Sequence, residues 1–330
     1  MSKRVKWVFT VLTLSLLIAV AMYGLAQQQK KYTIALIPGL TTDGFYITMH
    51  KGAEEAAKRL GVELIFQGGP EFSPTTQIPV LNAIIARKPD AILIAPTDRN
   101  QLIAPLKRAH EAGIKIITVD TFIGENGQYQ TGKGNADFPL AYVASDNVEG
   151  GRIAARALAK AIGEKGKVYV SNVKPGISTT DQREQGFKEE MKKYPGITVL
   201  ATQYNDNDAN KAASQLAAAL ARNPDLAGVF GANLFSAIGA ANGVKNAGKR
   251  GAVKVAAFDC PESIINDIKG GTIDMAVCQH PAEMGRIAVE WAVKALNGEK
   301  IPNRYGTGYT VIDRANVDSA EAKAAIYSSK

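Results

Sequence analysis

"AILIAPTDRNQLIAPLKRAHEAGIKIITVD", residues 91–120, sets two short apolar runs on either side of a longer segment. "AILI" and "IKIITV" are apolar throughout rather than alternating, which is the pattern of strands buried on both faces. Between them "NQLIAPLKRAHEAG" has apolar residues at helical spacing and closes at a glycine. Strand, helix, strand in that order gives a parallel pair with a crossover helix.

The same alternation extends outward in both directions from residue 32. The first half holds the runs "YTIALIP", "VELIFQG", "DAILIAP", "IKIITVD" and "AYVASD". The second half holds "KVYVSNV", "ITVLATQY", "AGVFGAN", "VKVAAFD" and "DMAVCQ", with "VASDNVEGGRIAARALAKAIG" at the join. Helical segments such as "MHKGAEEAAKRLG" and "DANKAASQLAAALARNPD" separate the runs. The expected fold is α/β, two doubly wound parallel-sheet domains rather than one very wide sheet. "GENGQYQTGKGNAD" reads as an exposed loop between elements.

Composition bounds the function. The chain has 330 residues, 46% apolar and 21% charged, as a globular protein does. Lys3, Arg4 and Lys6 precede "WVFTVLTLSLLIAVAMY", and "GLA" follows with small residues, so residues 1–26 read as a signal peptide cut after Ala26. The competing reading is an uncleaved anchor, since the run approaches the roughly 20 residues that span a bilayer. Export to the periplasm and a soluble mature chain are expected. Loss of the three cations with the signal lowers the formal charge from +8 to +5, too mild to argue for nucleic acid. An oxidising compartment would permit a disulfide between Cys260 and Cys278; the alternative is two small buried apolar residues.

Ligands of open parallel sheets bind outside the carboxyl ends of the strands. After "YTIALIP" comes "GLTTDGFY"; "KIITV" ends in Asp120; "KVYVSNV" leads to Asp181; "ITVLATQY" leads to "NDND"; Asn233, Asp259 and Gln279 follow the last three runs. Polar groups therefore gather on one edge. Catalytic signatures are missing: no G-x-x-x-x-G-K-[ST], no G-x-G-x-x-G after the first strand, no G-x-S-x-G and no H-E-x-x-H. No enzyme, cofactor or metal site is expected. Carboxylates and amides suit the hydroxyls of a sugar or polyol, each of which both donates and accepts, and aromatic faces such as those of Phe45 and Tyr46 suit its C–H surface. Each residue taken singly also serves as a turn former or helix cap.

The chain resembles the periplasmic sugar-binding proteins of ABC importers, the ribose-binding type with the type I periplasmic fold. "TIALIPGLTTDGFYITMHKGAEEAAKRLG", "ILIAPTD", "IITVDT", "ASDNVEGGRIAA", "REQGF", "VFGANLFSAIGA", "VAAFD" and "AVCQHPAEMG" fall in family order over nearly all of residues 32–313. The resemblance implies ligand contacts from Asp43, Phe45, Tyr46 and Asp120 on one side of a cleft, and from Asn207, Asn233, Asp259 and Gln279 on the second-domain and hinge side. Ribose binders carry Asn at the position of Ala95 and Arg at those of Thr121 and Asp181. "TTDQ" instead is similar to the branch that binds the furanosyl signal autoinducer-2, where residues at the positions of Asp181 and Gln182 face the ligand; that branch has Lys where this chain has Gly39.

A neutral pentose, hexose or sugar alcohol is the expected ligand, because an anionic one would meet too many carboxylates. The implied partners are this sugar and an ABC permease in the membrane, with a chemoreceptor as the alternative; a monomer is expected. An exported carbohydrate-acting enzyme is the rival reading. The family topology further implies domains of residues 32–145 plus 280–308 and 146–279 plus 309–330, joined by three hinge crossings. Asp181 is expected to face the cleft as well as stand at the start of the helix that follows, the alternative being a helix cap alone, and Arg183 to pair with a neighbouring acid.

Overall fold

β1 (Thr33–Ile37) shows why the chain builds sheets covered on both sides. Ile34 and Leu36 sit in one apolar cluster, Ala35 and Ile37 in another, all fully buried. Side chains alternate across a strand, so a wholly apolar strand requires a helical layer on each face. The computed structural model describes residues 32–328; the expected signal segment and its cut after Ala26 lie outside the described residues.

The first lobe continues with β2 (Glu63–Phe66), β3 (Ala91–Ile94), β4 (Lys115–Val119) and β5 (Ala141–Ser145), and takes a sixth strand, β12 (Arg304–Thr307), from late in the chain. Every pairing in this sheet is parallel, in the order β12-β5-β4-β3-β1-β2. α1 (Gly44–Leu60) and α9 (Pro281–Leu296) cover one face, with Met49, Ala53, Met284 and Ala288 inside. α2 (Pro74–Ala86) and α3 (Ile103–Glu111) cover the other with Leu81, Ile84 and Leu106.

The second lobe repeats the order. β6 (Gly166–Asn172), β7 (Ile197–Val199), β9 (Leu226–Gly231), β10 (Lys254–Phe258), β11 (Met275–Cys278) and β13 (Thr310–Asp313) run β13-β11-β10-β9-β6-β7, and β8 (Gln203–Tyr204) also pairs with β6. Only β13 is antiparallel to its neighbour. α4 (Asn147–Ala161) and α5 (Ser178–Met191) pack on the face of Val168, Val170 and Phe230. α6 (Ala209–Arg222), α7 (Leu234–Asn246) and α8 (Glu262–Gly270) pack on that of Val229, Val255 and Ala257, and α10 (Ala320–Ala324) adjoins β13. The fold is thus the expected pair of doubly wound α/β units, each with its switch point beside its first strand.

Two features departed from the sequence reading. "ITVLATQY" forms two short strands, β7 and β8, at the sheet margin, where partial exposure weakens the apolar signal. β12 and β13 were not anticipated, because edge strands with one polar side lack a continuous apolar run.

Two helix crossings fix the layers. A Cβ on Gly52 of α1 would collide with the carbonyl oxygen of Ala282, and one on Gly285 of α9 with that of Met49. The second lobe does the same between α4 and α5: Gly151 abuts the carbonyl of Arg183, and Gly186 that of Val148. Backbone touches backbone in both pairs, and the α4–α5 contact sets where the amino end of α5 stands. Cys260 and Cys278, whose Cα atoms lie 5.2 Å apart, form a disulfide between the ends of β10 and β11. Closing a loop of this size contributes about 3 kcal/mol in the chain-entropy account.

Candidate functional site

The carboxyl ends of both sheets open on one cavity. From the first lobe, Asp43 caps α1 by accepting from the Phe45 amide at 2.9 Å, which places Phe45 and Tyr46 in the first helical turn at the wall. Phe45 and Tyr46 meet edge to face, with centroids 5.1 Å apart. Phe72, from the loop after β2, closes this side.

Asp120, just after β4, has φ +60°, and Asp259, in the corresponding place after β10, has φ +76°. Left-handed backbone is uncommon for residues other than glycine, and such strain concentrates where structure over-determines a functional group. Each carboxylate is held from behind. Tyr46 Oη donates to Asp120 Oδ2 at 2.7 Å, and Tyr142 Oη to the Asp120 carbonyl at 2.6 Å. Gln279 Nε2 and Tyr327 Oη donate to Asp259 Oδ1 at 2.8 and 3.0 Å. Asn207, also left-handed at φ +64°, accepts from Asn233 Nδ2 at 2.7 Å, while Asn233 Oδ1 caps α7.

Asp43, Phe45, Tyr46, Asp120, Asn207, Asn233, Asp259 and Gln279 all border the cavity; Asp181 and Gln182 do not. Their displacement follows from where α5 starts. The helix begins at Ser178, so Thr180 and Asp181 lie inside its first turns and neither is the cap. At about 100° per residue, Thr179, Thr180 and Arg183 share the face that lines the cavity while 181 and 182 turn away. Asp181 Oδ2 accepts from the Gly176 amide at 2.9 Å, and burial raises its pKa.

Arg183 was expected to pair with an acid. It instead donates from Nε to Asn147 Oδ1 (2.8 Å) and from Nη1 to the Ala232 carbonyl (3.0 Å), with the guanidinium 3.8 Å over the Phe258 ring. It lies 3% exposed in the cavity wall. Sequence reading missed Phe72, Val173, Ile177, Thr179, Thr180 and Arg183 as lining residues; for Arg183 the signal was its i+3 spacing from Thr180.

The wall therefore carries three carboxylates and a guanidinium, with two buried polar atoms, Thr180 Oγ1 and Gln279 Oε1, lacking a protein partner. Unpaired buried polar atoms are costly, so a wall that keeps them is built for a polar ligand. Burial, with the charge of Asp259 second, raises the Asp43 pKa to about 7. Burial raises that of Asp120 to about 6, opposed by Arg183 and the Tyr46 hydrogen bond.

A raised folded-state pKa stabilises most below the unfolded value and loses that contribution as pH rises through the folded one. Asp43→Asn, which keeps a capping residue, should consequently melt above the parent at pH 8, and the gap should narrow as pH falls below about 7 and close only below about pH 4. Thermal melts of the two ligand-free proteins check this; a gap that widens on acidification contradicts it.

Residues 34–300 match the family described as periplasmic binding protein domain. The chain belongs to the periplasmic binding protein family. This periplasmic binding protein is 31% identical to the ribose import binding protein of Salmonella typhimurium, over 85% of its own length and 90% of the relative's. A solved ABC transporter solute-binding protein from Agrobacterium vitis, with α-D-tagatopyranose bound, is 67% identical and superposes with a TM-score of 0.89, covering 90% of this chain and 100% of the other. One from Agrobacterium radiobacter, in complex with D-arabinose, is 30% identical, with a TM-score of 0.82 and coverages of 91% and 100%. These relatives are binding proteins, and their shared architecture is the type I periplasmic fold.

Proposed function

We propose that the cavity holds a neutral monosaccharide in its pyranose form, D-tagatose being the first candidate, and that the chain is the exported solute-binding component delivering it to the permease of an ABC importer. The observation that carries this is the wall itself: carboxylates fixed at left-handed strand ends, with Thr180 Oγ1 and Gln279 Oε1 unpaired and buried. Sugar hydroxyls donate to the former and satisfy the latter. Three carboxylates against one guanidinium disfavour an anionic sugar acid. The sugars bound by the similar proteins from Agrobacterium agree with a ring of this size.

Residues 32–145 plus 280–308 are one clamp arm and residues 146–279 plus 309–330 the other, hinged near residues 145–146, 279–280 and 308–309. Support comes from the strand ends, since β5 stops at Ser145, β11 at Cys278 and β12 at Thr307. The Phe122 amide donates to Ser178 Oγ at 3.3 Å across the cleft, a contact that exists only when the arms meet. The chain acts as a monomer after its signal is removed near Ala26.

Thermal shift followed by calorimetry tests the reading against D-tagatose, D-ribose, D-arabinose, D-allose and a hexuronic acid. At 100 times its dissociation constant the true ligand adds about 2.7 kcal/mol of stability. D-Tagatose is expected to give the largest shift and the uronic acid none. A chain stabilised by the acid and by no neutral sugar overturns the proposal.

A further inference from the structure

Residues 325–328 leave the second lobe and reach the first. After α10 the chain is held at the Cys260 carbonyl, which accepts from the Tyr327 amide at 2.9 Å. One residue on, the Ser328 amide donates to Thr48 Oγ1 at 2.7 Å, and Lys51 Nζ to Ser328 Oγ at 3.0 Å, both on α1 of the opposite lobe. Ala324 to Tyr327 form one side of an open cavity beside His280 and Pro281, where α9 begins. Ala325 and Tyr327 are buried and Ile326 packs against the same apolar cluster, so the segment is both packed and fastened.

Tyr327 is the residue at the crossing, 3% exposed, with its ring edge to face against Phe45 at 5.8 Å. Its phenol donates to Asp259 Oδ1 at 3.0 Å and accepts from the Gln279 amide at 2.9 Å. Both partners line the ligand cavity, whereas Tyr327 does not. A buried backbone N–H must find a partner, and that of Gln279 finds it in this side chain. With Gln279 Nε2 also on Oδ1, the donors from the protein converge on one oxygen of Asp259 and leave Oδ2 for the cavity.

We propose that residues 325–328 are an interlobe strap and that Tyr327 is a positioning residue, orienting Asp259 and Gln279 for the ligand while the strap's hold on Thr48 ties that orientation to lobe closure. The ligand half of this rests on the sugar-binding reading above; the positioning half does not. Asp43 and Asp120 share the cavity with Asp259 and repel it, while Arg183 on α5 attracts it, so an unsteadied carboxylate there would be drawn out of place.

The test begins without ligand. Tyr327→Phe keeps the ring contact with Phe45 and deletes the hydroxyl; hydrogen exchange at the Gln279 amide should quicken about 10-fold or more. Thr48→Val, at a residue that does not line the ligand cavity, should quicken the same amide several-fold by releasing the strap. Unchanged exchange in Tyr327→Phe overturns the positioning role, and unchanged exchange in Thr48→Val overturns the strap, whether or not any sugar binds. With D-tagatose, Tyr327→Phe should weaken affinity about 10-fold, and little further when Asp259 is already Asn. Additive losses in that double-mutant cycle mark a general structural effect and sink the positioning role. A parent chain that binds no sugar sinks the ligand reading alone, since the exchange measurements still decide the strap.

Discussion

Arg183→Met should weaken sugar binding at neutral pH by 100-fold or more while leaving a folded protein. Nε and Nη1 of Arg183 are committed to Asn147 and Ala232, which fixes the guanidinium plane over Phe258 and leaves Nη2 for the cavity. A hydrogen bond to a charged donor contributes about 1.5 to 3 kcal/mol. The second contribution is indirect. Arg183 is the strongest influence opposing the burial that raises Asp120, so its loss moves that carboxyl further up and leaves it protonated over more of the neutral range. A protonated carboxyl is a poorer acceptor of sugar hydroxyls, and together the two losses reach about 3 kcal/mol. Methionine is of similar length and fills much of the space beside Phe258 with an apolar group, which guards the fold. Calorimetry at pH 7 and pH 9 separates the parts: raising pH should recover the Asp120 share and not the guanidinium share. Equal affinity for parent and variant at pH 7 would remove Arg183 from the site.

Gly186→Val is expected to cost about 3 kcal/mol of stability and with it most of the binding. No rotamer rescues this position, because the obstacle is the Val148 carbonyl of α4, not a side chain. Helices forced apart lose the dispersion contacts of the whole interface, and overpacking of this kind typically costs 1 to 3 kcal/mol. The displaced helix is α5, which carries Thr179, Thr180 and Arg183, so the cavity deforms with it. Gly270→Ala supplies the control: a Cβ there meets nothing within 4 Å, and the change should be neutral or slightly stabilising. Urea titration of the three proteins checks the order; a Gly186→Val midpoint equal to that of Gly270→Ala would mean the crossing yields freely.

The fold was legible because a central parallel strand has no polar face. "TIALI" could only be buried on both sides, and the same held for "AILI", "KIITV" and "KVAAF". It ceased to be legible at the margins, where β8, β12 and β13 mix polar and apolar residues as any loop does. The strand ends were legible for the same reason as the strands: Asp120 and Asp259 follow unmistakable apolar runs. α5 was misread through its start. "GISTTDQ" offers several good capping residues, and the helix begins before them, at Ser178, with Ile177 in the cap position and no side-chain cap. Asp181 was favoured because it follows a strand at the sheet's carboxyl edge and matches a ligand-facing position of the resembled family; with the helix starting three or four residues earlier than read, Thr180 and Arg183 take the inner face instead. Tyr327 was invisible for a different reason, since its partners lie 68 and 48 residues away and no local pattern announces them.

The disulfide has a topological consequence. Asp259 stands immediately before Cys260 and Gln279 immediately after Cys278, so the bond closes a ring of chain containing α8 and β11, with the two cavity residues at its neck. A protease that cut the exposed face of α8 would open the ring without parting the molecule. The fragments would remain one covalent piece, and Asp259 and Gln279 would still be presented side by side.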